Sequence, residues 1–418
     1  MTRVTAVAAI GACVVFALSW SLLHRGWFGR GQIGDTPTYQ AYDAKMRDGQ
    51  IPYRDFQLEY PPGALPIFLV APPSYDDASG YRFQRDFGFV MEACGFALVL
   101  LTAVSLARIT TPAPAAAALA VTSLAPLVLG SVILTRYDLW PAALTAGAIA
   151  ALVWEFDLVG AAILGVAVAA KLYPAVLAPI AFTWVWRRLG RRAAARWTTV
   201  LVASAACFFL PFAIVAPDGL GHSFGEQLTR PLQIESLGAA LLVALHHLAG
   251  LHLSVSSTHG SQNFAGTLPD GIGTVTTVLE AVALVGVWTS FARGPATHAR
   301  LVAASAAAVT AFIAFGKVFS PQYLIWLIPL VPLVRGARGV AASALMLVTM
   351  ALTQAWFPHH YWDYALRIAP LQSWLVFARD FCTLMLLAVL VWPPLEDEPL
   401  GEGRAMLEAL QRVRAHVE

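Results

Sequence analysis

Charge is what this chain has least of. Only 12% of its 418 residues are Asp, Glu, Lys or Arg, against about 25% in an ordinary soluble domain. Bases and acids nearly balance at 27 and 25, and no basic stripe runs along the sequence, which argues against nucleic acid as a partner. Cysteine is scarce too. Cys13, Cys94, Cys207 and Cys382 all fall inside apolar runs and none forms a Cys-x-x-Cys pair, so disulfides and thiolate metal sites are not expected and inert thiols are. There is no nucleotide-binding Gly-x4-Gly-Lys-Ser/Thr loop and no zinc-protease motif, which leaves a soluble nucleotide donor or an ATP-driven pump without support.

Apolar sequence is what the chain has in quantity: 58% of residues are hydrophobic and the mean hydropathy is +0.65. One long apolar run would suit an anchor or a signal peptide, but here such runs recur from Val4 to Trp392. The first, Val4–Leu23, follows Arg3 and leads into His24-Arg25-Gly26-Trp27 with no small-x-small cleavage pattern, so it reads as a retained span. Spans are predicted near 4–23, 86–107, 113–134, 139–155, 158–170, 172–186, 197–216, 272–292, 300–316, 321–334, 339–356 and 371–392. The expected fold is all-α: one polytopic domain over 1–392 of about twelve helices, with outer loops at 24–85 and 217–271. A tail at 393–418 is expected to be cytoplasmic, with a short helix.

Charge asymmetry orients these spans. With the N-terminus inside, the inner connections carry Arg108, Arg187-Arg188-Leu189-Gly190-Arg191-Arg192, Arg196, Arg293, Arg300, Arg335 and Arg338 with almost no acid. The opposite face mixes Asp35, Asp43, Asp48, Asp55 and Glu59 with Lys45, Arg47 and Arg54, as the positive-inside rule requires. Both termini are then cytoplasmic. The parity depends on residues 158–186, which are read as two short helices in a hairpin with Lys171-Leu172-Tyr173-Pro174 at its tip. One tilted helix there would reverse every later loop. Within 217–271 the stretch Leu237–Leu253 is expected to lie along the interface as an amphipathic helix.

Ionisable residues at membrane depth are expensive, so those at span ends are where chemistry is expected. Five segments meet that description on the outer side: Gly34-Asp35-Thr36-Pro37-Thr38-Tyr39, Arg136-Tyr137-Asp138, Lys171 with Tyr173, Arg230 with Gln233 and Glu235, and Lys317 with Ser320-Pro321-Gln322-Tyr323. Each has a plainer reading. Asp35 suits a helix cap before Thr36-Pro37, Arg136 and Asp138 suit a mutual ion pair, and Lys171 and Lys317 suit snorkelling lysines. The histidines at 246, 247, 252 and 259 lack the spacing that puts two metal ligands on one helix face, and His359-His360 suits an interfacial belt.

These segments, with Gly49-Gln50-Ile51-Pro52-Tyr53-Arg54-Asp55-Phe56 and Glu59-Tyr60-Pro61-Pro62-Gly63, resemble the GT-C superfamily of membrane glycosyltransferases, and within it glycosyltransferase family 87. Arg136-Tyr137-Asp138-Leu139-Trp140-Pro141, Lys171-Leu172-Tyr173-Pro174, Gln233-Ile234-Glu235-Ser236-Leu237 and Ser320-Pro321-Gln322-Tyr323 continue the resemblance in order along nearly the whole chain. It implies an inverting enzyme of the plasma (inner) membrane. Such an enzyme moves a sugar, mannose first and arabinofuranose as the nearest variant, from a polyprenyl phosphate to a glycolipid or glycan acceptor on the extracytoplasmic face. It implies Asp35 as the general base, with Asp43 and Asp138 as alternatives, and Arg136, Lys171, Lys317 and Arg230 as cations for the donor phosphate. Tyr60, Tyr137, Asp138, Tyr173, Glu235, Gln322 and Tyr323 are the implied substrate-binding residues. No cofactor or divalent metal is expected, and the partners are the lipid-linked sugar, its acceptor and membrane lipids. A transporter or flippase, or a non-catalytic subunit of cell-envelope polysaccharide assembly, are the competing readings.

Overall fold

The structure, a computed structural model, describes residues 2–69 and 80–392; the expected tail helix at 393–418 lies outside them. The first helices are α1 (Arg3–Leu23), α2 (Thr36–Arg47), α3 (Leu65–Phe68), α4 (Tyr81–Ile109), α5 (Pro112–Leu129) and α6 (Leu139–Val153). Then come α7 (Asp157–Ala170), α8 (Ala178–Leu189), α9 (Arg191–Val215), α10 (Pro217–Thr229) and α11 (Leu237–Ala249). The last are α12 (Thr267–Arg293), α13 (His298–Phe315), α14 (Gly336–Gln354), α15 (Tyr361–Arg367) and α16 (Pro370–Val391).

Eight of these (α1, α4, α5, α9, α12, α13, α14 and α16) are long and apolar enough to cross a membrane. The chain is a multi-pass membrane protein. The expected number of twelve spans is not reached by full-length helices. α6 and α7 have 15 and 14 residues, which at 1.5 Å per residue is about 21–23 Å, short of a hydrocarbon core of about 30 Å. Residues 321–333 form short 3-10 turns rather than one helix, and Pro321 and Pro332 account for part of that irregularity.

The hairpin expected at 158–186 is present in outline. Arg188, at the end of α8, contacts Asp157 at 3.3 Å and Glu155 at 2.7 Å beside the start of α7, so the chain returns to its starting level. Lys171 stands at the bend, followed by a 3-10 turn over Tyr173–Leu177. α6 packs along α7, and α7 along α9; α1 packs between α4 and α5, and α16 against α11, α13 and α14.

The 217–271 region differs from expectation beyond its first helix. Ser236 caps α11 through Ala239 N–H, but the helix ends at Gly250 and packs Ala239, Ala240, Leu242 and Val243 inward, with α16 and α12 as neighbours. An antiparallel pair follows, β1 (Ser254–Thr258) and β2 (Ser261–Ala265). Its two-residue turn, His259-Gly260, has both residues at positive φ, the geometry that two-residue hairpin loops favour.

Candidate active site

Asp35 begins at the position of a helix cap, yet its carboxylate makes no capping bond to α2. The preceding backbone lies hard against Thr135: the Asp35 N–H donates to the Thr135 carbonyl at 3.3 Å. A Cβ on Gly34 would stand 2.6 Å from Thr135 Cβ, so glycine is what permits this approach. The contact puts Asp35 beside Arg136, whose guanidinium pairs with Asp35 Oδ1. The Tyr60 and Tyr39 hydroxyls donate to Oδ2 at 3.2 and 3.4 Å. The Asp35 side chain keeps 31% of its exposure while that of Arg136 keeps 8%. Burial brings the guanidinium down to about 10, which leaves it cationic at neutral pH.

Tyr60 is delivered by the run after it. A Cβ on Gly63 would lie 2.5 Å from the Ala169 carbonyl carbon, so the Pro61-Pro62-Gly63 turn can press backbone to backbone on the end of α7. Trp140 Nε1–H donates to the Gly63 carbonyl at 3.2 Å, and the Tyr53 hydroxyl donates to the Tyr60 carbonyl at 2.5 Å. Behind Asp35, Tyr39 stacks on Phe68 at 4.5 Å and meets Tyr60 and Tyr137 edge-on, an aromatic wall that fixes the tyrosine hydroxyls.

The antiparallel run of α6 and α7 brings Asp138 and Lys171 to one end. Lys171 Nζ donates to Asp138 Oδ1 at 2.5 Å, and Trp326 Nε1–H donates to the same oxygen at 2.6 Å. Nζ also lies over the rings of Tyr137 (4.7 Å), Trp326 (5.2 Å) and Tyr323 (5.8 Å). Burial pushes the ammonium below its ordinary value, with Asp138 opposing that shift. Tyr173 stacks flat on Trp326 at 4.2 Å and shares a 2.9 Å hydrogen bond with Thr145, so it is a packed support for the Lys171 box. Tyr137 is likewise buried, its hydroxyl donating to the Ala170 carbonyl at 3.2 Å.

Arg230 and Lys317 form a second cationic group. Lys317 Nζ donates to the Leu228 carbonyl at 2.6 Å, and Arg230 donates to the His259 carbonyl at 2.5 Å. Arg230 is near enough to help depress both Lys317 and Lys171, which links the two groups. Gln233 ties the neighbouring loops together: its N–H donates to the Lys317 carbonyl at 2.9 Å, and its Oε1 accepts from Phe319 N–H at 2.8 Å. Its Nε2 donates to Glu235 Oε2 at 2.5 Å. Gln322 accepts from Ser320 Oγ at 2.5 Å, and Tyr323 stacks on Trp326 at 4.0 Å. Asp43 stands apart, paired with Arg47 one turn along α2 at 2.8 Å.

Three residues of this region were not picked out from the sequence: Trp326, Arg379 and Asp380. Arg379 and Asp380 pair at 2.9 Å with both side chains buried inside α16, and Arg379 also donates to the backbone carbonyls of Glu235 and Phe319. Two adjacent charges in an apolar span were the available signal. Gly29, Gly31 and Gly34 have the spacing of a dinucleotide fingerprint, but they follow a membrane helix and not a strand, so the context that gives the motif meaning is missing.

Among solved structures the chain is similar to ArnT from Cupriavidus metallidurans in the apo state, at 15% identity over 92% of this chain and 76% of that one, with a TM-score of 0.45. It is also similar to the Archaeoglobus fulgidus oligosaccharyltransferase in the apo form, at 13% identity and a TM-score of 0.44 over 96% of this chain, which spans 59% of that one. No curated protein matches the chain significantly. The profile described as glycosyltransferase family 87 matches residues 58–321, well over half the chain. That stretch begins after Asp35 and takes in Tyr60, Arg136, Asp138, Lys171, Glu235 and Lys317. On that match the chain belongs to glycosyltransferase family 87.

Proposed function

We propose that the enzyme transfers a sugar, mannose in the first instance, from a polyprenyl phosphate to a hydroxyl of a glycolipid or glycan on the extracytoplasmic face, with inversion. The observation that carries this reading is the meeting of Asp35, Arg136 and Tyr60 beside the Asp138–Lys171 pair. Asp35 is the partly exposed carboxylate of the group, and two tyrosine hydroxyls hold it in place. It takes the proton of the acceptor hydroxyl as that oxygen bonds to the anomeric carbon. The bond from that carbon to the phosphate oxygen breaks, and its electron pair leaves with the polyprenyl phosphate. The growing charge on the phosphate is met by Arg136 and Lys171, with Arg230 and Lys317 on the approach. A monophosphate leaving group served by four cationic side chains has no need of a divalent metal. Membership of a glycosyltransferase family favours this reading over the transporter and scaffold alternatives.

The test is incubation of purified protein with radiolabelled polyprenyl-phosphate-mannose and a membrane lipid extract, followed by identification of the labelled product. A labelled glycolipid or glycan is expected. Label that stays entirely on the donor with every acceptor fraction, or appears only with another donor sugar, would refute the donor assignment.

A further inference from the structure

Next along the chain from Tyr60 lies a cleft of about 60 Å³ that the transfer step leaves unused. One wall is the loop with Tyr53, Gln57 and Glu59; the other is α10, with Gly219, His222, Ser223 and Glu226. The helix reaches the loop only because residue 219 is glycine: a Cβ there would collide with the Tyr53 carbonyl oxygen. The two walls are also tied by side chains. Gln57 Nε2 donates to His222 Nε2 at 3.5 Å, and Gln227 Nε2 donates to the Glu59 carbonyl at 3.1 Å. The β1–β2 turn joins them. His259 Nε2 lies 3.1 Å from Glu226 Oε2, and a Cβ on Gly260 would stand 3.4 Å from Glu59 Oε2. Tyr53 connects the cleft to the chemistry, since its hydroxyl donates to the Tyr60 carbonyl at 2.5 Å and the Tyr60 hydroxyl donates to Asp35.

We propose that this cleft is a subsite for the sugar chain of the acceptor, taking uncharged, hydroxyl-bearing rings, with Glu59 and Glu226 as the residues that select them. The inference rests on the acceptor class proposed above. An ionised carboxylate only accepts hydrogen bonds, and a sugar hydroxyl supplies the donor. Gln57 and Ser223 both give and accept, so neighbouring hydroxyls of one ring can be met together. Among the described residues no Lys or Arg lines the cleft, so a phosphate would face two carboxylates without a counter-charge. Arg136 and Lys171, the cations assigned to the donor phosphate, line no part of it, which separates it from the leaving group. Nor do three acids or imidazoles among the described residues group closely enough to hold a metal ion. The volume suits several ordered waters, and therefore the hydroxyls that would displace them, and is too small for a lipid chain.

The test is titration of the purified full-length protein, without donor, with neutral disaccharides of mannose, glucose and arabinose and with their monophosphates, read by saturation-transfer NMR. At least one neutral disaccharide is expected to bind, at least about tenfold more tightly than its phosphate. Glu59→Ala and Glu226→Ala should each weaken that binding about tenfold, and Glu59→Gln less, because the amide keeps an acceptor oxygen. The Glu226 side chain is 42% exposed, so its alanine variant should keep the wild-type melting transition. In the transfer assay both alanine variants should label less product at low membrane extract and recover at high extract. Unchanged disaccharide affinity in both variants, no binding by wild type, tighter binding of the phosphates, or a transfer defect that excess extract does not restore overturns the inference. Because the titration omits the donor, wild type that fails to use polyprenyl-phosphate-mannose overturns the donor assignment and leaves the binding result to decide the cleft.

Discussion

Asp35→Asn is the most direct test of the proposed chemistry. The replacement is isosteric and removes one negative charge. Two effects follow, and they differ in size. Losing a general base lowers turnover by about 10²–10⁴-fold. Losing the partner of Arg136 also destabilises the fold, because the guanidinium keeps only 8% of its exposure. The Asp35 side is 31% exposed and water can replace part of the carboxylate. The stability loss therefore falls between a surface pair and a fully buried one, about 1–2 kcal/mol. Single-turnover transfer from polyprenyl-phosphate-mannose, run beside donor binding and thermal melting, separates the effects. Turnover should fall at least a hundredfold while donor binding stays within severalfold and the melting transition survives. Tyr60→Phe gives a graded companion. It removes one 3.2 Å hydrogen bond to the carboxylate and should lower turnover by about tenfold, ~1.4 kcal/mol. Asp35→Asn turnover within threefold of wild type would remove Asp35 from the role of base.

The rival acids behave differently in the same assay. Asp43→Asn should leave transfer within about threefold of wild type, because its partner Arg47 lies on the same helix; a hundredfold loss would move the base there. Asp138→Asn leaves Lys171 buried without its counter-charge and should cost about 3–5 kcal/mol of stability, while the double variant Asp138→Asn/Lys171→Met recovers part of that cost; additive losses in chemical denaturation would contradict the coupling. Gly63→Ala forces a Cβ onto the Ala169 carbonyl and should destabilise by about 1–3 kcal/mol and slow transfer; an unchanged melt would show that the turn can yield. Transfer in excess EDTA should match the untreated rate, and a loss restored by added magnesium would show a metal requirement.

Much of the scaffold was legible because apolar runs of twenty residues leave few alternatives. The bend at Lys171 was legible because charges at both ends of 158–186 belonged to one face, and Arg188 does reach back to Glu155 and Asp157. The association of Asp35 with Arg136 could be suspected only from their shared level, since it depends on Gly34 approaching Thr135 across about a hundred residues of sequence. Trp326 was invisible for the same reason: its bond to Asp138 spans 188 positions and a tryptophan in an apolar run looks like core. The β hairpin was missed because its turn is His259-Gly260, without the Asn-Gly or Asp-Gly that signals such turns. Arg379 and Asp380 were in plain view, and the rule on charges in spans was sufficient to find them.

The fold-back around Lys171 also bears on how the protein is made. Asp138 and Lys171 are separated by 33 residues, most of them in the antiparallel pair α6 and α7. The carboxylate therefore waits only one helical hairpin of synthesis for its counter-ion, whereas Trp326 arrives 188 residues after it. A lone Asp or Lys in the bilayer is costly to insert, and the pair is less so. α6 and α7 thus have reason to leave the translocon together, with the Asp138 and Lys171 charges at that end already paired. The later turns at 321–327 then close over a salt bridge that already exists.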